Sequence, residues 1–304
     1  MSKGELTDRT RKPAIVVSKF GKVSDEEIAY ALKVIGETYE QLEPHEVALV
    51  DLFVFEKSSA VDAFMVKETK NVGVISSSFG ESFFAMHDAY RGTPRIILCL
   101  ERMKNLPRLV QMGGIRHEVG HSVLHGSLLY YLLPLPPALS EVVNRFRISR
   151  EYAVNLLYLI SIAVKDYEVS RLLYAKGYVE DQTAYVKYLL RVTEDDKIGW
   201  AISRGNRFAE VLYLISYLKT FGCAAPFLLN SQSGEDMKRL VQDSLSHISK
   251  DSSRLLLNVT SEGFSSLGTD TLSNINQITC LVIENIVKPF FDAEAHRETN
   301  DSVL

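Results

Sequence analysis

Apolar residues fall at helical spacing in one part of the first hundred residues and gather in strand-like runs in others, and they follow a helical period through almost everything beyond residue 139. Ser24-Asp-Glu-Glu27 has the form of a capping box and opens an amphipathic helix that runs to about Leu42. Glu46 to Glu56, rich in Val, Leu and Phe, reads as a buried strand, and Val72 to Ser77 as a second. Ser82 to Ala89 and Arg95 to Leu100 face each other across Tyr90-Arg-Gly-Thr-Pro94 and predict a β-hairpin with a strongly apolar second arm. Pro107 suits the first turn of a further helix, in which Val119, Val123 and Leu124 keep one side apolar. Helical patterns then cover roughly 139–149, 151–176, 181–195, 207–221, 233–249 and 270–289, and the polar tail from His296 should fray. Leu128 to Leu135 reads as a buried connection, with an apolar surface that faces a membrane or a substrate as the alternative. Strands first and helices after predict an α+β fold, with a small mixed N-terminal sheet and a large helical C-terminal half.

The helix after the hairpin contains His117-Glu-Val-Gly-His121, an instance of HExxH. With 7 His in the whole chain, such a match arises by chance with a probability on the order of one percent. On a helix the two histidines leave one face a single turn apart, which suits bidentate grip of a zinc ion. Glu118 projects toward the neighbouring face, where its carboxylate can act as general base on a water in an open metal position. Gly113, Gly114 and Gly120 each cost about 1 kcal/mol relative to Ala inside a helix, so they suggest close approach of a neighbouring group.

Composition narrows the choices without deciding among them. A chain of 304 residues with 46% hydrophobic content can bury a large core. Its net charge of -4 gives no electrostatic reason to expect nucleic acid. Cys99, Cys223 and Cys280 are odd in number and far apart, which argues against a disulfide framework and for a reducing compartment. The N-terminus lacks the apolar core of a signal peptide, and the apolar stretches Ser127 to Leu139 and Tyr152 to Val164 are too short to cross a bilayer. The expectation is a cytoplasmic protein without a transmembrane segment.

A catalytic zinc needs a third protein ligand. His125, four residues past His121, is ill placed for it on a straight helix and suits an outer, supporting role instead. Downstream, Ile162, Ala163, Asp166, Ser170 and Leu173 fall on one helical stripe, so Asp166 is the leading candidate and Glu168 the alternative. Arg171, Tyr174 and Tyr178 are near enough in sequence to be considered as donors to a developing oxyanion.

HEVGH followed by Asp166-Tyr-Glu-Val-Ser-Arg-Leu-Leu-Tyr-Ala-Lys-Gly-Tyr178 resembles the gluzincin metallopeptidases, particularly the CAAX-prenyl-protease group, over about residues 85 to 178. In that group the second motif runs Glu-x-x-x-Asp and continues toward Gly-Tyr, so the resemblance puts Asp166 at the ligand position and Ser170 at that of the supporting acid. Both depart from the pattern, and the membrane spans of many relatives are missing. The resemblance implies a zincin-like core over 1–178, with a helical C-terminal region over 179–304. The expected function is hydrolysis of a peptide or protein substrate by a zinc-dependent metallopeptidase, with His117, His121 and Asp166 or Glu168 as ligands and Glu118 as base. The competing expectation is a zincin-fold binding or regulatory module without catalysis.

Overall fold

The computed structural model describes residues 12–72, 83–89, 91–228 and 234–292, which form two compact units. The first extends to Tyr131 and takes in Glu180–Gln182; the second comprises Leu132–Val179 and the chain from Thr183 onward. The fold is α+β, with a small mixed sheet in the N-terminal part and a large helical C-terminal half.

In the first unit the chain runs β1 (Ala14–Phe20), α1 (Asp25–Gln41), β2 (Leu49–Phe55), α2 (Ser58–Val72), β3 (Ala85–Asp88), β4 (Arg95–Cys99), the single turn α3 (Leu100–Met103) and α4 (Arg108–His125). The strand order is β1-β2-β4-β3, parallel except for the antiparallel pair β3 and β4. The hairpin closes where the sequence places it, with Asp88 opposite Arg95. At that point the buried Arg95 guanidinium makes two hydrogen bonds to Asp88 and one to Glu68 of α2, each 2.8 Å, so a charge otherwise costly to bury is matched by two carboxylates. Burial pushes the Asp88 carboxyl above its usual range despite that pairing.

The capping box is present: the Glu27 backbone N–H donates to Ser24 Oγ, and the Ser24 N–H donates to the Glu27 carboxylate. Two elements, β1 and α2, have no counterpart in the sequence reading. The expected strand at Val72 to Ser77 and the tail from His296 lie outside the described residues, apart from Val72, which ends α2.

The second unit is helical: α5 (Pro137–Phe146), α6 (Arg150–Ala175), α7 (Val179–Leu189, of which Glu180–Gln182 belong to the first unit), α8 (Glu194–Ser203), α9 (Arg207–Leu228), α10 (Gly234–Ser244), α11 (Lys250–Gly263) and α12 (Thr271–Val282). Of these, α8 and α11 were not anticipated. The core is built around α6 and α9, which pack along much of their length, with α12 against α6 and α10 and α11 against α9. By length and composition α9 could cross a membrane, and half of its most apolar window is buried inside the protein, as a core helix would have it.

The connection after α4 departs from expectation. Leu128–Tyr130 form a 3-10 turn, and Leu128, Leu129 and Leu132 are exposed rather than buried, Leu132 to 67%. Pro134 and Pro136 follow in the connection, and Pro137 opens α5.

Candidate metal centre

Pro107 caps α4 without a side-chain bond, and the Gln111 amide donates to the Leu106 carbonyl at 2.8 Å, which fixes the entry to the helix. The helix packs on α1 and β3. Its glycines admit those neighbours: a Cβ on Gly114 would stand 2.2 Å from the ring of buried Phe84, and the Gly113 carbonyl accepts a 2.9 Å hydrogen bond from Gln182 Nε2. From α1, the Tyr39 hydroxyl donates to Ser122 Oγ at 2.5 Å, while Ser122 itself donates to the Val119 carbonyl. Burial raises the Tyr39 hydroxyl pKa, so the phenol stays protonated as donor. Next to His117, Arg116 donates to Asp181 at 2.5 Å. The turn that carries the motif is therefore held on both sides by buried polar contacts.

Within that turn His117 is 2% exposed and Glu118 6%, and His121 is half-buried. His117 Nε2 and His121 Nε2 lie 3.2 Å apart. Two imidazole nitrogens bound at about 2.0–2.1 Å to one tetrahedral zinc stand about 3.3 Å apart, so the pair already spans one edge of such a site. The same separation serves an N–H···N hydrogen bond between neutral imidazoles when no metal is bound.

On its other side, His121 Nδ1 lies 3.2 Å from Nδ1 of fully buried His125, whose ring meets Tyr130 edge-on. If Nε2 of His121 faces a metal, its proton is on Nδ1 and is donated to His125, which fixes the tautomer and the ring plane. His125 therefore lies beside the His121 nitrogen that does not face His117. The His87 ring stacks parallel to that of His121 at 5.9 Å, and Tyr131 Oη lies 3.3 Å from His87 Nδ1, so β3 also steadies the second histidine. Replacing His125 by Phe should preserve packing against Tyr130 and lower zinc affinity by about 10–100-fold. Chelator competition measures this, and unchanged affinity would count against the role.

The two candidate acids belong to the second unit and have different surroundings. All eight residues from Ala163 to Ser170 are buried, including Lys165, Asp166 at 2% exposed and Glu168 at 5%. Burial pushes the Lys165 ammonium down to about 8, against the opposing pull of the Asp166 and Glu168 charges. Glu168 accepts hydrogen bonds from Thr271 Oγ1 at 2.8 Å and Asn274 Nδ2 at 2.5 Å, so both its oxygens tie the start of α12 to α6. Arg171, one turn on, donates to the carbonyls of Leu267 and Gly268 at 2.8 and 2.6 Å and clamps the same junction. These contacts give Glu168 and Arg171 an architectural task. Asp166 instead has a carboxylate oxygen within 4.8 Å of the sulfur of Cys223 on α9.

Replacement of each acid by Ala should separate these tasks. Glu168→Ala leaves two buried donors unmatched and should destabilise the fold by about 1–3 kcal/mol, with little change in metal affinity. Asp166→Ala should show the larger loss of metal affinity. Denaturant unfolding and metal titration of both variants check the pair, and the reverse order would move the ligand to Glu168.

No protein-family model matches the chain, and no curated protein or solved structure matches it.

Proposed function

We propose that this protein is a zinc-dependent metallopeptidase in which His117, His121 and Asp166 hold the metal. The observation that carries the reading is the 3.2 Å separation of the two Nε2 atoms on a rigidly supported HEVGH turn, close to the edge length of a zinc tetrahedron. The resemblance of HEVGH and the Asp166 segment to gluzincins supports the same assignment. Zinc bound there would supply Lewis-acid polarisation of a peptide carbonyl and make water nucleophilic near neutral pH.

In this reading Glu118 takes the proton of the attacking water and returns it to the leaving amine. His125 and His87 hold the His121 ring in place. An extended peptide would pair with β3, which ends the sheet order and packs beside α4, in the strand-addition mode. Metal analysis of the purified chain, followed by incubation with proteome-derived peptide libraries with and without chelator, tests the proposal. Chelator-sensitive cleavage is the expected result; a chain that takes up no zinc overturns it.

A further inference from the structure

We propose that the outer face of α8 is a self-association surface, on which a second copy of this chain lays its own α8 antiparallel about a two-fold axis. That surface lies wholly within the second unit and owes nothing to the metal reading. The inner side of α8 is already held. Buried Trp200 sets its ring 5.4 Å from that of Tyr213, a Cβ on Gly199 would stand 3.1 Å from the same tyrosine ring, and the Tyr213 hydroxyl donates to the Asp196 carbonyl at 2.7 Å. A capping box between Thr193 and Asp196 sets the start of the helix, and Ser203 at its end is buried. These contacts fix α8 on α9 without help from its other side.

On that other side Ile198 is 53% and Ile202 77% exposed, the latter more than any other large apolar residue among those described, and Ala201 between them is exposed too. At i and i+4 the two isoleucines stand one turn apart on a single face, so they form one apolar ridge rather than two scattered side chains. Neither serves the helix itself, because β-branched Ile is a poorer helix former than the Glu, Lys or Gln that a solvated position usually takes.

Charge says what covers the ridge. Asp195 lies one turn before Ile198 and within about 20° of Ile202 around the helix axis, whereas Arg204 caps the C-terminal end, and both are exposed. A surface acidic at one end, apolar in the middle and basic at the other is complementary to itself when turned through a half-rotation.

The level midway between the isoleucines is that of Trp200. An axis there brings residue 195 of one copy level with residue 205 of the other, about 1.5 Å along the helix from Arg204. Asp195 then faces Arg204 of the second copy at both ends of the ridge, the four isoleucines interdigitate between them, and the two helix dipoles run opposed. A parallel pairing would instead set like charges together at each end. One helix of ten residues covers less than the about 800 Å² that each partner buries in a stable complex, so the dimer forms at micromolar to millimolar concentration and is not obligate.

Sedimentation velocity of the full chain from about 1 μM to about 0.5 mM tests the pairing. Wild type is expected to pass from monomer to dimer as concentration rises. Ile198→Asp with Ile202→Asp should weaken the dimer by more than about 100-fold and leave the circular dichroism unchanged, since both positions are exposed. Asp195→Arg and Arg204→Glu should each weaken self-association by about 3–10-fold, because the axis repeats every like-charge contact on both sides. An equimolar mixture of those two variants should dimerise as wild type does, each altered end meeting its opposite. Should the isoleucine variant lose its fold, the charge reversals decide. A wild type monomeric throughout, a dimer untouched by the isoleucine changes, or a mixture no tighter than either single variant overturns the inference.

Discussion

Changing His117 and His121 together to Ala should reduce bound zinc from one ion per chain to background, and either change alone should weaken binding by at least about 100-fold. The expectation follows from distance: Nε2 of each ring is already 3.2 Å from the other, so the first bond places the second donor with almost no loss of side-chain freedom. Removing one ring leaves the remaining donors to bind without that preorganisation. The fold should survive, because Tyr39, Ser122, Gly114 and the Arg116 to Asp181 pair, rather than the histidines, fix α4 on its neighbours. Elemental analysis after dialysis against a weak chelator, with circular dichroism as the control for folding, provides the measurement. Equal zinc in wild type and in the double variant would remove the motif from the metal site and the peptidase proposal with it.

How much of this could be read from residues alone depends on how local the determining physics is. The α1 capping box, the hairpin that sets Asp88 opposite Arg95, and the HEVGH helix are set by neighbours within a few positions, and each forms where the sequence indicates. Helix α2 is different. Its first residue, Ser58, is tied down by Glu101, which accepts from the Ser58 N–H at 2.9 Å and from its hydroxyl at 2.8 Å. Those bonds and Lys57 hold the Glu101 carboxyl down to about 2. A start signal supplied from 43 residues away leaves no local signature. Strand β1 is hidden for another reason: its residues are exposed or half-buried throughout, with Val16 exposed, so no buried stripe marks it.

The candidate third ligand shows the same limit inside one helix. Periodicity prefers Asp166 over Glu168 by assigning α6 a wet side, but the segment from Ala163 to Ser170 is buried all round, and phase no longer distinguishes the two acids. What separates them is the pairing of Glu168 with Thr271 and Asn274, more than a hundred positions along the chain. The proximity of His125 to His121 is legible because a single helical turn relates the two rings.

The second large effect is expected at Glu118. Glu118→Gln keeps the size and most of the hydrogen bonding of the side chain but removes its basicity, so peptide cleavage should fall by about 10²–10⁴-fold while zinc content and unfolding midpoint stay near wild type. The contrast with the histidine variants is what gives the experiment its force: those lose metal, whereas this one should keep it. A structural acid at this position would give the opposite pattern, since Glu118 is 6% exposed and a change in its contacts would then appear as lost stability rather than lost rate. Cleavage that persists undiminished in Glu118→Gln, or that proceeds without metal, would overturn the assignment of the base.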